Sequence, residues 1–192
     1  MTACGSSSGS SGSGVGSPAI ANSSSKSAYA GTWVRPCEAA LNSSSRQKLI
    51  ITDSKADLVV EMFAGTACSG SSLADMAMST DYAIRSDVLL PGGAKALDLT
   101  LKTFVMVSRN ADLTAKLNTD NYCGLNNWVT GQEKNIIGTS CSTATSSAVG
   151  KVAYSSIKLD GNKLFLGKSS DTSGESEATR EVELETIAFI KQ

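Results

Sequence analysis

The sequence predicts an all-β fold, an antiparallel meander of about eight to ten strands that closes into a β-barrel, with a two-sheet sandwich as second choice. Three observations carry this. Short apolar runs separated by turn residues recur from Gly31 to Ile190, with no long amphipathic helix between them. Residues 97–107 alternate with period two, which places one face in a core and the other outside and favours antiparallel pairing. Gly161-Asn162, between two apolar runs, is a strong two-residue hairpin signal. A sheet of this size must curl or close, and closure removes its adhesive edges.

Taken in order, residues 1–28 are Gly/Ser-rich and carry almost no side chain to bury, so they are expected to form a disordered tether, with the barrel domain spanning 29–192. Their glycines do not form a phosphate loop, since no strand precedes them and no Gly-Lys-Ser/Thr ends them. The first strand contains Trp33. A turn is expected at 42–45, then strands over 48–52 and 58–64, a turn holding Cys68, and extended sequence through Met76, Met78, Tyr82 and Ile84 to Ser86. Pro91-Gly92-Gly93 is a breaker. In the next strand Leu97, Leu99, Leu101, Thr103, Val105 and Val107 share one face; Phe104 and Met106 fall on the other, which implies a cover at its far end. Asp112 is the expected cap of a short helix to about Asn118. Strands over 151–159 and 163–168 follow, with Leu159 facing Leu164 and Ile157 facing Leu166. The last strand is expected to bury Val182, Leu184, Thr186, Ala188 and Ile190 and to expose Glu181, Glu183 and Glu185.

Composition narrows the chemistry. The 192 residues hold 17 Lys/Arg against 18 Asp/Glu with no long basic run, which argues against nucleic acid as a partner. No stretch approaches 18 consecutive apolar residues, so no membrane-spanning helix is expected. The absence of histidine removes Ser-His-Asp and Cys-His catalysis. Glu175, Glu177, Glu181, Glu183 and Glu185 read as a solvated face rather than a carboxylate pair. No enzymatic activity and no cofactor are therefore expected. Without histidine or Cys-x-x-Cys no metal site is expected either, and Met62, Met76, Met78 and Met106 read as packing residues.

Five cysteines in a Ser/Thr-rich domain point to an oxidising compartment. With Cys4 set apart, the remaining four allow three pairings. Cys37–Cys68 and Cys123–Cys141 are favoured because each pair brackets a hairpin-like or loop-like segment, and each would contribute on the order of 3 kcal/mol.

The tetrapeptide ending at Cys4 resembles the lipobox of bacterial lipoproteins, with Met in place of Leu; a Gly/Ser linker is the alternative. The resemblance implies lipid attachment at Cys4, hence a membrane as partner. Gly5 rather than Asp after it implies an outer-membrane address in the cell envelope. Gly31-x-Trp33 opening the first strand resembles the signature of lipocalins and related calycin barrels. That family sets an Arg of the last strand across the Trp ring, which implies Trp33 and Arg180 as the barrel-closing pair. Thr80-Asp81-Tyr82 echoes a further lipocalin motif, whereas the long helix usual before the last strand is absent. Gly31-Thr32-Trp33…Cys37, Tyr122-Cys123-Gly124…Trp128 and Asp160-Gly161-Asn162-x-Leu164-x-x-Gly167 are similar to small lipocalin-like lipoproteins of Gram-negative bacteria, a group without a settled activity.

The function expected is that of a non-enzymatic cell-envelope lipoprotein acting through protein–protein or surface contacts, with residues 169–178 and 123–141 as contact loops. The alternative is a carrier of a small apolar ligand lined by Tyr82, Leu99, Leu101, Val105 and Leu166.

Overall fold

A computed structural model describes residues 26–141, 144–145, 147–170 and 174–192. The expected tether and its Cys4 therefore lie outside the described residues, except for 26–28.

Eight antiparallel strands form a closed, hydrogen-bonded ring. In chain order they are β1 (Gly31–Val34), β3 (Ser43–Ile51), β4 (Lys55–Ala64), β5 (Ala74–Leu89), β6 (Lys95–Ser108), β10 (Val152–Asp160), β11 (Lys163–Leu166) and β12 (Phe189–Lys191). Each pairs with the next, and β1 pairs with both β3 and β12, so the meander closes on itself. The short β2 (Glu38–Ala39) and β7 (Glu133–Asn135) add to β3 and β6, and β8 (Ser140–Cys141) with β9 (Ala144–Thr145) makes a separate hairpin. The β10–β11 hairpin has the expected register, Ile157 opposite Leu166 and Leu159 opposite Leu164, with Gly161 at a positive φ of 59° in its turn.

Antiparallel order sends alternate connections to opposite ends. At the end where the chain enters, the links are short: 52–54, 90–94 and 161–162. At the other end they are long, covering 35–42, 65–73, 109–151 and 167–188. Both expected disulfides, Cys37–Cys68 and Cys123–Cys141, tie these long links. Cys68 and Cys123 both sit at positive φ, 45° and 57°, an uncommon conformation for a non-glycine residue that the crosslinks help to hold.

The ring's inner face carries two cores. Near the entry end Tyr29, Trp33, Ile51, Tyr82, Ile84, Ile157, Leu164 and Phe189 pack together. Trp33 is fully buried there, its indole N–H donating to the Tyr29 carbonyl oxygen at 2.9 Å. Towards the other end, Met62, Ala74, Met76, Phe104 and Met106 pack against Leu113, Leu117, Cys123, Trp128 and Ile136 from the long 109–151 link. That link contains α1 (Ala111–Thr119), whose cap is Asn110 rather than Asp112: the Asn110 side chain accepts from the Leu113 N–H, and Asp112 sits in the first turn. The Asn118 side chain clamps Trp128, accepting its backbone N–H at 2.7 Å and donating to its carbonyl at 3.0 Å.

Four expectations change. The turn predicted at 42–45 lies earlier: Ala40 N–H donates to the Ser43 carbonyl and β3 begins at Ser43. The Ser44 hydroxyl accepts the Cys68 N–H, which draws this polar stretch into the sheet beside the disulfide. In β6, Ser79 pairs with Thr103 but Thr80 pairs with Leu101, so Lys102 is an extra residue in a bulge. The bulge reverses parity. Phe104 and Met106 join Leu97, Leu99 and Leu101 on the inner face, opposite Met78 and Met76, and Val105 turns outward opposite Ala77.

The long last strand is replaced by a three-residue one. Residues 181–188 make scattered main-chain bonds to β10, β11 and the segment that follows β11, and an isolated bridge joins Gly167 to Leu184. A Cβ at Gly167 would lie 2.6 Å from the Ser155 hydroxyl and 2.8 Å from the Glu181 Cβ and carbonyl oxygen, so this crossing requires glycine. Phe189, not Ile190, then points into the core. The acidic run does not form one solvated face either. Glu181 accepts from the Ser155 hydroxyl at 2.7 Å and Glu185 pairs with buried Arg35, while Glu175, Glu177 and Glu183, the last facing Lys168, are exposed.

Candidate functional site

The candidate site is the space left between the two inner cores. It starts as an apolar cavity of about 60 Å³ bounded by Leu49, Ile51, Ala56, Leu58, Met78, Thr80, Tyr82, Leu97, Leu99, Ile157 and Leu166. Its polar groups are occupied. Thr80 donates its hydroxyl to the Ala56 carbonyl oxygen, and Tyr82 donates its hydroxyl to the Thr52 carbonyl oxygen at 2.8 Å. Burial, with the nearby negative charge of Asp53, raises the Tyr82 pKa above the ordinary tyrosine value, so the ring stays neutral. Burial likewise raises Tyr29.

Met78, Thr80 and Leu99 also line a second recess of about 210 Å³, together with Leu101, Phe104, Ser147, Lys151 and Ala153. Ser147, Lys151 and Ala153 in turn border a polar recess of about 280 Å³ whose further walls include Gly174, Glu175 and Glu181. The lining therefore grows more polar from the apolar cavity towards the long links. Of the five expected lining residues, Tyr82, Leu99 and Leu166 line the apolar cavity and Leu101 lines the recess. Val105 lines neither, because the Lys102 bulge turns it outward.

The expected closing pair is not the one formed. Trp33 lies at the seam, opposite Leu49 of β3 and Lys191 of β12, and the cation over its ring is Lys191, with Nζ 5.2 Å from the centroid. Arg180 lies over Tyr154 instead, at 5.3 Å. Its nearly inaccessible guanidinium donates to the carbonyl oxygens of Leu97 and Ser155 and pairs with Asp98 at 2.7 Å. Tyr154 and Asp98 are cross-strand partners on the face opposite Leu97, so Arg180 braces the outside of β6 and β10. It cannot lie across Trp33 because the last strand that was to carry it is not formed at 180; the residue ends a short 3₁₀ turn, Glu177–Thr179.

No protein-family model matches this chain, and no curated protein is significantly similar to it. The site must therefore be read from its own geometry. Among the described residues no cluster of acidic or cysteine side chains is placed to hold a metal ion, and no helix is long and apolar enough to cross a membrane.

Several contributors escaped the sequence reading. Met78 and Phe104 line the recess; the signal for Met78 was its shared parity with Tyr82 on β5, and that for Phe104 the adjacent polar pair Lys102-Thr103, which interrupts the alternation where the bulge forms. Arg35 lies two residues beyond Trp33 and so points to the same side. It is buried against the Phe189 ring at 5.7 Å, with Glu38 at 2.7 Å and Glu185 at 3.1 Å. Asp98 bridges Arg180 and Arg85, and nothing local in the sequence announces that pairing.

Proposed function

We propose that this chain is a non-enzymatic, lipocalin-like lipoprotein of the cell envelope, anchored through Cys4, that binds another envelope or extracellular protein with the long links at the end of the ring opposite Trp33. One observation carries the reading. Among the described residues, five of the six exposed large apolar side chains, Leu41, Val129, Val149, Val182 and Ile187, sit on those long links, while the apolar cavity measures only about 60 Å³. Ligand pockets for drug-sized molecules span roughly 300–1,000 Å³, and apolar side chains on loops braced by disulfides are suited to a partner's surface. The lipobox resemblance supports the anchor, and two disulfides support an oxidising compartment.

Native mass spectrometry of the protein taken from its own envelope tests both parts. The expected result is acyl mass on Cys4 together with a retained protein partner that is lost from the Leu41→Asp/Val182→Asp double variant. An unmodified Cys4 overturns the anchor, and a partner indifferent to those substitutions overturns the contact surface.

Met78, Thr80 and Leu99, which line both the apolar cavity and the 210 Å³ recess, favour a second reading, a small apolar ligand entering past Leu101 and Phe104. A retained small molecule in the same spectra, absent from Leu99→Trp, would establish it in place of the first.

A further inference from the structure

The one large apolar side chain exposed at the Trp33 end, among the described residues, is Leu89, at 94%. It sits on the β5–β6 hairpin, which outreaches its neighbour: β4 begins opposite Asp81, and β5 runs on to Leu89 beside β6 alone. Leu90 and the side-chain-poor Pro91-Gly92-Gly93 complete a blunt apolar tip. The residue directly across from Leu89 is Lys95, also exposed. The other short links at this end, 52–54 and 161–162, each carry or adjoin one aspartate and one lysine, Asp53 with Lys55 and Asp160 with Lys163, so the rim has no excess negative charge to repel an anionic surface.

The chain enters at the same end. The Lys26 ammonium lies 4.6 Å over the Tyr82 ring and donates to the Tyr82 carbonyl oxygen at 3.1 Å, three residues before Arg85 on the arm of the tip. Twenty-five residues precede Lys26. Twenty-two positions separate Cys4 from Lys26. An anchor at Cys4 would hold this end, not the one with the long links, within reach of the bilayer. We propose that the β5–β6 tip is a membrane contact in which Leu89 enters the headgroup–acyl boundary and Lys95 meets lipid phosphates. The contact draws on the anchor of the proposed function but not on its protein partner. An apolar body with a cationic flank is the chemistry of an interfacial contact.

The two disulfides leave Cys4 as the remaining cysteine. The full chain can therefore be coupled through it to maleimide-headgroup lipid in phosphatidylethanolamine/phosphatidylglycerol vesicles, whether or not cells acylate that position. Hydrogen exchange of peptides covering 86–94 should slow several-fold on coupling, with 177–188 unchanged. Leu89→Asp should abolish the slowing, and Leu41→Asp at the opposite end should not. Unchanged exchange at 86–94, slowing at 177–188 instead, or slowing that survives Leu89→Asp would each overturn the contact. Because the coupling is chemical, absence of native lipid on Cys4 would sink the lipoprotein reading without altering this result.

Discussion

Trp33 and Lys191 face each other across the seam that closes the ring, paired in register between the first and last strands, with the ammonium 5.2 Å from the indole centroid. Gly31 lies beside the same lysine, at a φ of 139°, and a Cβ there would come within 3.1 Å of the Lys191 side chain. The Gly-x-Trp pattern thus works at the closing seam through packing, with a lysine over the ring.

Removing the indole should cost most of what a buried aromatic contributes. Trp33→Ala is expected to lower unfolding free energy by about 3–5 kcal/mol, whereas Lys191→Met should cost roughly 1 kcal/mol or less, the worth of a surface cation–π contact. Urea titrations of the two variants check this; a Trp33→Ala loss below about 1 kcal/mol would contradict the closing role.

The Lys102 bulge makes a sharper prediction. Deleting Lys102 leaves Leu101, Phe104 and Met106 in simple alternation and forfeits only the surface pair with Asp81, so the protein should fold with a loss of about 1 kcal/mol. Deleting Thr100 leaves the bulge in place but turns one half of β6 inside out, and that variant should not fold. Near-ultraviolet circular dichroism of the two deletions distinguishes them, and equal behaviour would refute the bulge.

Replacing Cys123 and Cys141 by serine releases the link that carries Trp128 into the second core. A loop of this size makes the crosslink worth about 3 kcal/mol. The loss should be accompanied by faster hydrogen exchange in α1 and around Trp128 rather than around Trp33, because the two cores are distinct clusters. Uniformly faster exchange would mean that the cores unfold as one unit.

Tyr82 should shape the alkaline limb of the stability curve. Its folded pKa is raised by burial, and further by the Asp53 charge, above the unfolded value. The neutral hydroxyl therefore contributes stability that is intact below the unfolded pKa of about 10 and is lost as pH rises through the folded pKa. Tyr82→Phe should flatten that decline above pH 10 while losing the hydrogen bond to Thr52 at all lower pH values. Denaturation midpoints measured from pH 8 to 11.5 would show it, and an unchanged alkaline slope would exclude Tyr82 as its source.

The sequence alone determined the strand succession and the β10–β11 register and favoured, among three possible pairings, the cysteine pairs that form, because these rest on local signals: period-two alternation, a Gly-Asn turn and loop-sized spacings. Tertiary structure decided the rest. The partner of Trp33 is Lys191 because closure brings β12 against β1, and Arg180 is drawn to Asp98 and Tyr154 because Gly174 and Glu181 both hydrogen-bond to Tyr154 of β10 before the last strand begins. Val105 faces outward because one extra residue in β6 reverses its parity. Ring closure, long-range ion pairing and a bulge each depend on what lies opposite a residue, and a local pattern along the chain does not contain that information.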